Sequence, residues 1–489
     1  MKRIITLCLV FFAITMTYSQ FPTGLEEATD QEYANIPTTI PLVTRSFTAL
    51  PTSYSLKAYC PTPKSQGTQS SCVGWASAHG ARTISNAVKN NWKNNLTKIN
   101  ANTFSPAFIY NSIKSPRKYD NTLDTKCERG SSLTNAAIVL KKFGVVKNVD
   151  FPYNVNNCTT KPTNYLFTKA AQHKISHFEK LNDKGYSSNL VNNVKKAISK
   201  NHPVLFGLFN FNRIVFKPGT HLYNKNEGKS GHALVVVGYD DNKYGGAFEI
   251  MNSWGSWWGN KGFFWITYED YKAQAKENYV IIDELDNPNP TPNPSPNYVT
   301  TNKLGGELTL KLSSGSNMPV SLAQGATRNF NIVKASKTTY KVNKAYTSGT
   351  QFRIYLKSKQ RGYVYLIGYG SSDKSVNKLY PFNNYSDFFN YTNSEIALPN
   401  EDYFIEFDNK PGRDILCVLY SKEKLNIDDI VSKAKYGSGD FVSRVKSVLS
   451  NKMFKGADVN FSSNKIAFNA SSKSTSAKIV PIFIEMNHQ

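Results

Sequence analysis

Residues 64–92 read KSQGTQSSCVGWASAHGARTISNAVKNNW. From Val73 to Trp92 the small or apolar residues Ala76, Gly80, Ile84 and Val88 recur at every fourth position, the spacing of one face of a helix. A lone thiol, Cys72, stands at the start of that helix, six residues after Gln66. A thiol placed there feels the unpaired amides of the first turn and the positive end of the helix dipole, which favour thiolate. Position alone favours a buried structural cysteine, because free cysteine is among the most buried residue types.

Two further helical runs follow. SSLTNAAIVLKKFGVV (131–146) has Ser131 or Ser132 to cap its start and Gly144 to end it, and SNLVNNVKKAISKN (188–201) stops ahead of Pro203. After them come the strand-like runs PVLFGLFNF, HALVVVGYD, GAFEIMNSW and GFFWITY. Helices first and strands afterwards predict an α+β domain in which a helical half packs on a sheet half.

A nucleophilic thiol needs a base, and the histidines can be screened by position. His79 lies seven residues along the same helix as Cys72, roughly 10 Å away at the helical rise, too far for a hydrogen bond. His173 and His177 fall in a polar run and read as surface residues; His202 precedes Pro203 and reads as a turn residue. His221 falls in a loop and His488 at the chain end. His232 remains, opening the run HALVVVGYD where a strand can aim a side chain into a cleft. A satisfied core histidine is the competing reading. Asn252 and Trp254 follow in MNSWGSWWGNKGFFWI. A carboxamide that accepts from one imidazole nitrogen fixes the tautomer and leaves the other nitrogen for the thiol, and an indole over that contact keeps water out.

Taken together, Gln-x5-Cys, the later GHALVVVGY run and NSWGSWWG resemble the papain family of cysteine peptidases, over roughly Tyr59 to Tyr279. FPY at Phe151–Tyr153 followed by Cys158, and CERGSS ahead of a helix, add to the resemblance. It implies a papain-like fold with a cleft between the two halves. It implies Cys72 as nucleophile, His232 as general base and acid, Asn252 as orienting amide, Gln66 as oxyanion donor and Trp254 as shield. It also implies a disulfide between Cys127 and Cys158, no cofactor and no metal, and protein or peptide as substrate. SPAFIYNSIK and SSCVGWA look more like bacterial exported members than animal cathepsins. The sequence departs from the pattern at Val73 and at Gln69, where the family often has a neighbouring cysteine, so one customary disulfide is missing. The interval from Cys72 to His232 also exceeds the roughly 130 to 150 residues of the family signature, an excess that surface-loop insertions accommodate at small entropic cost. Cys60 has no evident partner, and Cys417 reads as a buried thiol.

The chain opens MKRIITLCLVFFAITMTYSQ, with the basic start, short apolar run and small polar end of a secretory signal peptide over residues 1–19. Its apolar run is too short for the ~30 Å hydrocarbon core of a bilayer. The expectation is therefore an exported protein, secreted, periplasmic or at the cell surface of a bacterium. With Cys8 removed, five cysteines remain, an odd number that leaves a free thiol in an exported chain. A net charge of +24 permits attraction to acidic polymers, but the lysines are scattered among Asn and Ser without a dense basic run, so no nucleic-acid partner is expected.

Residues 286–297, DNPNPTPNPSPN, read as a semi-rigid solvated spacer. The expected organisation is an N-terminal extension over 20–50, the peptidase-like domain over 51–285, a linker over 286–300 and an accessory domain over 301–489. The accessory domain alternates β-prone runs such as QFRIYLKS and DILCVLYS with turn residues, and one helical segment, NIDDIVSKAK, interrupts it. That pattern predicts a mostly-β sandwich or barrel. GYVYLIGYG, KLYPFNN and ALPNEDYFIEF resemble a bacterial domain of unknown function found behind exported catalytic domains, for which contact with a partner, envelope or glycan is the expected role. Two rival readings of the whole chain are a Cys-His acyltransferase and a non-catalytic exported binding protein built on a degenerate peptidase fold. A family-like region starting only about 30 residues after the signal leaves no room for a long helical inhibitory pro-segment.

Overall fold

The computed structural model describes residues 22–40, 50–114, 124–183, 189–283, 302–323, 338–400 and 403–489. The expected signal peptide and spacer lie outside these residues. The helix at Cys72 runs on through Trp75–Arg82 and Thr83–Lys89, and its middle stretch is wound with hydrogen bonds five residues apart rather than as the regular helix the spacing predicts. It is buried on all sides. At Gly80 a Cβ would lie 2.7 Å from Cγ2 of Val235, so the missing side chain is what lets the helix rest on the strand Ser230–Asp240.

On its other side the buried helix meets Pro106–Ile113, whose first turn is capped by Ser105, and Leu133–Lys142, capped by Ser132 Oγ accepting from Asn135 N at 3.1 Å. The sheet half is antiparallel and runs in the order Ile175–Lys180, Ala275–Asp283, Val204–Phe211, Ser230–Asp240, Ala247–Met251, Phe263–Thr267, with the short strand Ser53–Ser55 paired to Ser230–Asp240. Helix Leu190–Ser199 packs on the same central strand. Val235, Val236 and Val237 are therefore all buried, each contributing roughly 1.5–3 kcal/mol.

Two strands of this sheet, Ile175–Lys180 and Ala275–Asp283, fall where the sequence suggests none. The expectation that His177 is a surface residue is corrected: it is half-buried in the first of them, its Nε2 is 3.2 Å from Glu179 Oε1, and its ring stands edge-on to Phe388 at 4.4 Å. Neighbouring segments cover this polar strand, which is why its composition misleads. His202 is likewise no free turn residue, since its Nε2 accepts from Asn390 Nδ2 at 3.0 Å across the domain interface. His488 is buried in the last strand, 3.0 Å from Ser348 Oγ. His173 packs edge-on to Phe104.

The C-terminal domain is a sandwich. A sheet in the order Val376–Tyr380, Gly362–Tyr369, Gly412–Ser421, Ile479–His488, Thr339–Val342, Val320–Leu322 faces a second in the order Glu395–Leu398, Gln351–Ser358, Asn302–Leu312, Ile466–Ser472, Val459–Phe461. Alternate residues such as Phe352, Ile354 and Leu356 meet Val364, Leu366 and Val418 between the sheets. Two helices rather than the single one expected, Ile427–Tyr436 and Phe441–Leu449, cover the outer face of the first sheet over Ile367, Cys417 and Phe483. Phe441 and Val445 supply the apolar face of the unforeseen second helix.

Residues 22–40 form a strap across both domains. Its one helical turn, Asp30–Ala34, is fixed by a reciprocal cap in which Thr29 Oγ1 accepts from Glu32 N and Glu32 Oε2 accepts from Thr29 N. Among the described residues no helix is long and apolar enough to cross a membrane.

Candidate active site

Cys72 opens the buried helix, and His232 opens the central strand that this helix rests on, so the packing of helix on sheet brings the two together. Cys72 Sγ accepts from the amide of Ala233, the residue after His232, at 3.5 Å. His232 Nε2 donates to Asn252 Oδ1 at 2.8 Å, and its Nδ1 is buried with no hydrogen-bond partner. The Trp254 ring stacks on the imidazole with centroids 4.8 Å apart and planes 25° apart, and Trp258 abuts Trp254 at 5.0 Å. Asn252 leaves the end of strand Ala247–Met251, which pairs with His232's strand, and its amide donates to Gly262 O.

Gln66 reaches the same place from a loop that pairs with the Asn252–Trp254 turn: its amide donates to Ser253 O at 2.8 Å, and Ser65 bridges Trp254. Ser253 Oγ donates to Gln66 Oε1 at 2.7 Å, which fixes the side-chain nitrogen as the group that donates toward the cleft. Ser253 is a positioning residue that the motif reading passes over, although it lies inside the NSW run. The four residues Gln66, Cys72, His232 and Asn252 thus converge, with Trp254 over the ring. His79 does not join them, its Nε2 lying 3.0 Å from Thr62 O.

The loop between Gln66 and Cys72 is held from three directions. Ser70 N donates to Cys127 O, and Cys127 is bridged to Cys158. Ser71 Oγ shares a hydrogen bond with Tyr153 Oη, which also donates to Gln66 O. Gln69 Nε2 donates to Asn154 O at 2.7 Å and Val155 O at 2.8 Å, so a carboxamide ties down the loop where relatives often have a cysteine. Cys60 and Cys417 are buried free thiols.

The cleft is occupied by the strap. Gln66 Nε2 donates to Gln69 O, and more weakly to Pro22 O at 3.2 Å and Thr23 O at 3.4 Å; Trp254 Nε1 also donates to Pro22 O. Leu25 N donates to Gly231 O, Ser131 N to Gly24 O and Glu26 N to Ser131 O, and the Leu25 side chain lies against Gly207. Ala28 N donates to buried Glu277 at 2.7 Å. In this covered form burial pushes the Cys72 thiol up to about 12, against the opposing amides of Ala233, Val73 and Cys72. Burial likewise pushes His232 down to about 4, against the Asn252 contact. Desolvation thus outweighs the opposing amides and the Asn252 contact, and in the covered form it favours the uncharged form of each group. Among the described residues no cluster of His, Cys, Asp and Glu could hold a metal ion.

Residues 114–282 match the papain family of cysteine proteases, and residues 345–424 match a domain of unknown function, DUF4384. The first match holds His232 and Asn252 but stops short of Gln66 and Cys72, which the fold alone brings in. An uncharacterized peptidase C1-like protein of Acanthamoeba polyphaga mimivirus is 26% identical over 237 residues, 46% of this chain and 70% of that one. Cysteine proteinase 3 of Entamoeba histolytica is 27% identical over 147 residues, 29% of this chain and 44% of that one. Cathepsin B-like cysteine proteinase 3 of Ostertagia ostertagi is 34% identical over 79 residues, 15% of this chain and 45% of that one. The chain thus spans less than half the length of these last two. Among solved structures, xylellain, a cysteine protease from Xylella fastidiosa, is 22% identical with a TM-score of 0.42, covering 55% of this chain and 100% of its own.

Proposed function

This chain carries a papain-family cysteine protease domain followed by a DUF4384 domain, and on that premise we propose that it is an exported peptidase cutting peptide bonds through Cys72 once the strap leaves the cleft. The observation that carries the reading is His232, held by Asn252 on one nitrogen and stacked by Trp254, with its second nitrogen unpaired and the amide of the next residue, Ala233, donating to the Cys72 thiol. In the open site Nδ1 takes the thiol proton, and the thiolate attacks the scissile carbonyl carbon. The resulting oxyanion accepts from Gln66 Nε2 and from the Cys72 amide, the first of which the strap's carbonyls use in the covered form. His232 returns its proton to the leaving amine as the C–N bond breaks, leaving an acyl-thioester. Water then loses a proton to His232, adds to that carbonyl and expels the thiolate, releasing the acid product.

Cleavage of a fluorogenic peptide by a Leu25→Arg protein, whose strap cannot seat, tests the reading; the same protein with Cys72→Ala should lose the activity. Equal cleavage by both would refute it. Export is tested by finding the full-length product outside the cytoplasm with residues 1–19 removed.

A further inference from the structure

The strap continues beyond the cleft to the C-terminal domain. Lys180 N donates to Pro37 O and Thr39 N donates to Lys180 O, each at 2.9 Å, so the segment extends the edge of the protease sheet. On its other side Thr38 N donates to Asn384 O and Ser386 N donates to Thr38 O, each at 2.7 Å. Asn384 Nδ2 donates to Ile36 O at 2.7 Å and also to Ala34 O. Ile40, 2% exposed, is part of the apolar core of the C-terminal sandwich. Beside this segment the two domains stand apart around a cavity of about 770 Å³, walled by Asn35 and Pro37 of the strap, Lys141 and His177 of the protease domain, and Asp387 and Phe388 of the C-terminal domain. Here the strap bridges the domains.

We infer that the C-terminal domain is a clamp for the N-terminal strap: a site for an extended peptide segment of the same chain, recognised by main-chain hydrogen bonds, the Asn384 carboxamide and a socket for Ile40. Main-chain pairing on both edges gives such a segment its hold, and a buried side chain sets its register. Anchoring residues 36–40 keeps residues 22–28 at high effective concentration over the cleft, adding to the ties at Ala28 and at Tyr33, whose hydroxyl accepts from Asn278 N. The consequence for activity rests on Cys72 being the nucleophile, but the clamp itself does not.

The test uses the full-length protein and reads two quantities, the rate at which iodoacetamide alkylates Cys72, located by mass spectrometry, and deuterium uptake over residues 22–28. Asn384→Ala removes both carboxamide bonds from a half-buried loop position, and Ile40→Ala empties the socket. Each should raise alkylation and uptake by about tenfold, the population shift expected for losing such contacts. Unchanged values in both variants, while Leu25→Arg is alkylated rapidly, would overturn the clamp. If either variant loosens the C-terminal core, seen as faster exchange over Gly412–Ser421, a strap that still stays seated overturns it as well, and a released strap supports it. An open, alkylatable protein that cleaves no peptide would end the protease reading and leave the clamp standing.

Discussion

Ser253 Oγ donates to Gln66 Oε1 at 2.7 Å, and that bond turns the Gln66 amide nitrogen toward the carbonyls in the cleft. Ser253→Ala removes one of the two bonds that orient the carboxamide, leaving Gln69 O on Nε2 at 2.7 Å to hold it alone, so the donor is aimed less firmly at the cleft. In a Leu25→Arg background, kcat should fall by up to about tenfold with KM little changed, since the bond serves the oxyanion rather than the bound substrate. A KM effect without a kcat effect would show that Ser253 shapes the cleft and does not orient the donor.

Gln69 is bound by two main-chain carbonyls, of Asn154 and Val155, and is 1% exposed. Gln69→Ala would leave both carbonyls without that donor and loosen the nucleophile loop, costing about 1–3 kcal/mol of stability. Denaturant unfolding of the full chain measures the loss. Gln69→Leu, which fills the space without donating, should not restore it; full restoration would mean the residue acts by packing alone.

What could be read from the sequence follows from where the determinants lie. Cys72, His232 and Asn252 stand in short runs whose residue types have a chemical reason to be there, and the strand HALVVVGYD announces its burial by composition. PTGLEEATDQEYANIPTTI does not, because it is mostly polar and is placed by main-chain bonds to Gly231, Ser131 and Lys180, partners more than a hundred residues away. ISHFEK conceals its strand for the same reason: the strap and Phe388 cover polar groups that would otherwise face water. The pairing of Ser253 with Gln66 was hidden as well, since no spacing in the chain encodes which side of a loop faces another.

Gly24 sits at φ +126°, and a Cβ there would fall 2.1 Å from the carbonyl oxygen of Ser70. Gly24→Ala is therefore both strained in its backbone and blocked against the nucleophile loop. The strap should lift from the cleft, and full-length Gly24→Ala should be alkylated at Cys72 at least about tenfold faster than wild type, a ratio that corresponds to roughly 1.4 kcal/mol. Thermal stability of the C-terminal domain should be unaffected, because no part of that domain is touched. Wild-type alkylation kinetics in this variant would show that residues 22–25 do not limit access to the thiol.

Acid should destabilise the covered form. His79, His202 and His232 are each pushed down to about 4, first of all by burial, so all three are neutral in the fold near neutral pH. Unfolded, each would titrate near its ordinary value of about 6.5. Between those values the unfolded chain binds protons that the native one does not, so stability is complete above about pH 6.5 and is lost as pH falls toward 4. Going from about pH 7 to about pH 5 should cost on the order of 2 kcal/mol per histidine. His202 has a local consequence too: protonating Nε2 removes the acceptor of Asn390 Nδ2, with Arg361 opposing the new charge and Asp283 and Glu179 favouring it. The domain interface should therefore weaken with the fold, and Cys72 alkylation, corrected for the intrinsic pH dependence of a model thiol, should accelerate at about pH 5. His202→Gln, which keeps a neutral acceptor, should blunt that acceleration; an identical profile in the variant would remove His202 from the account and leave His79, His232 and His173, which burial also pushes down to about 4, to explain the acid response.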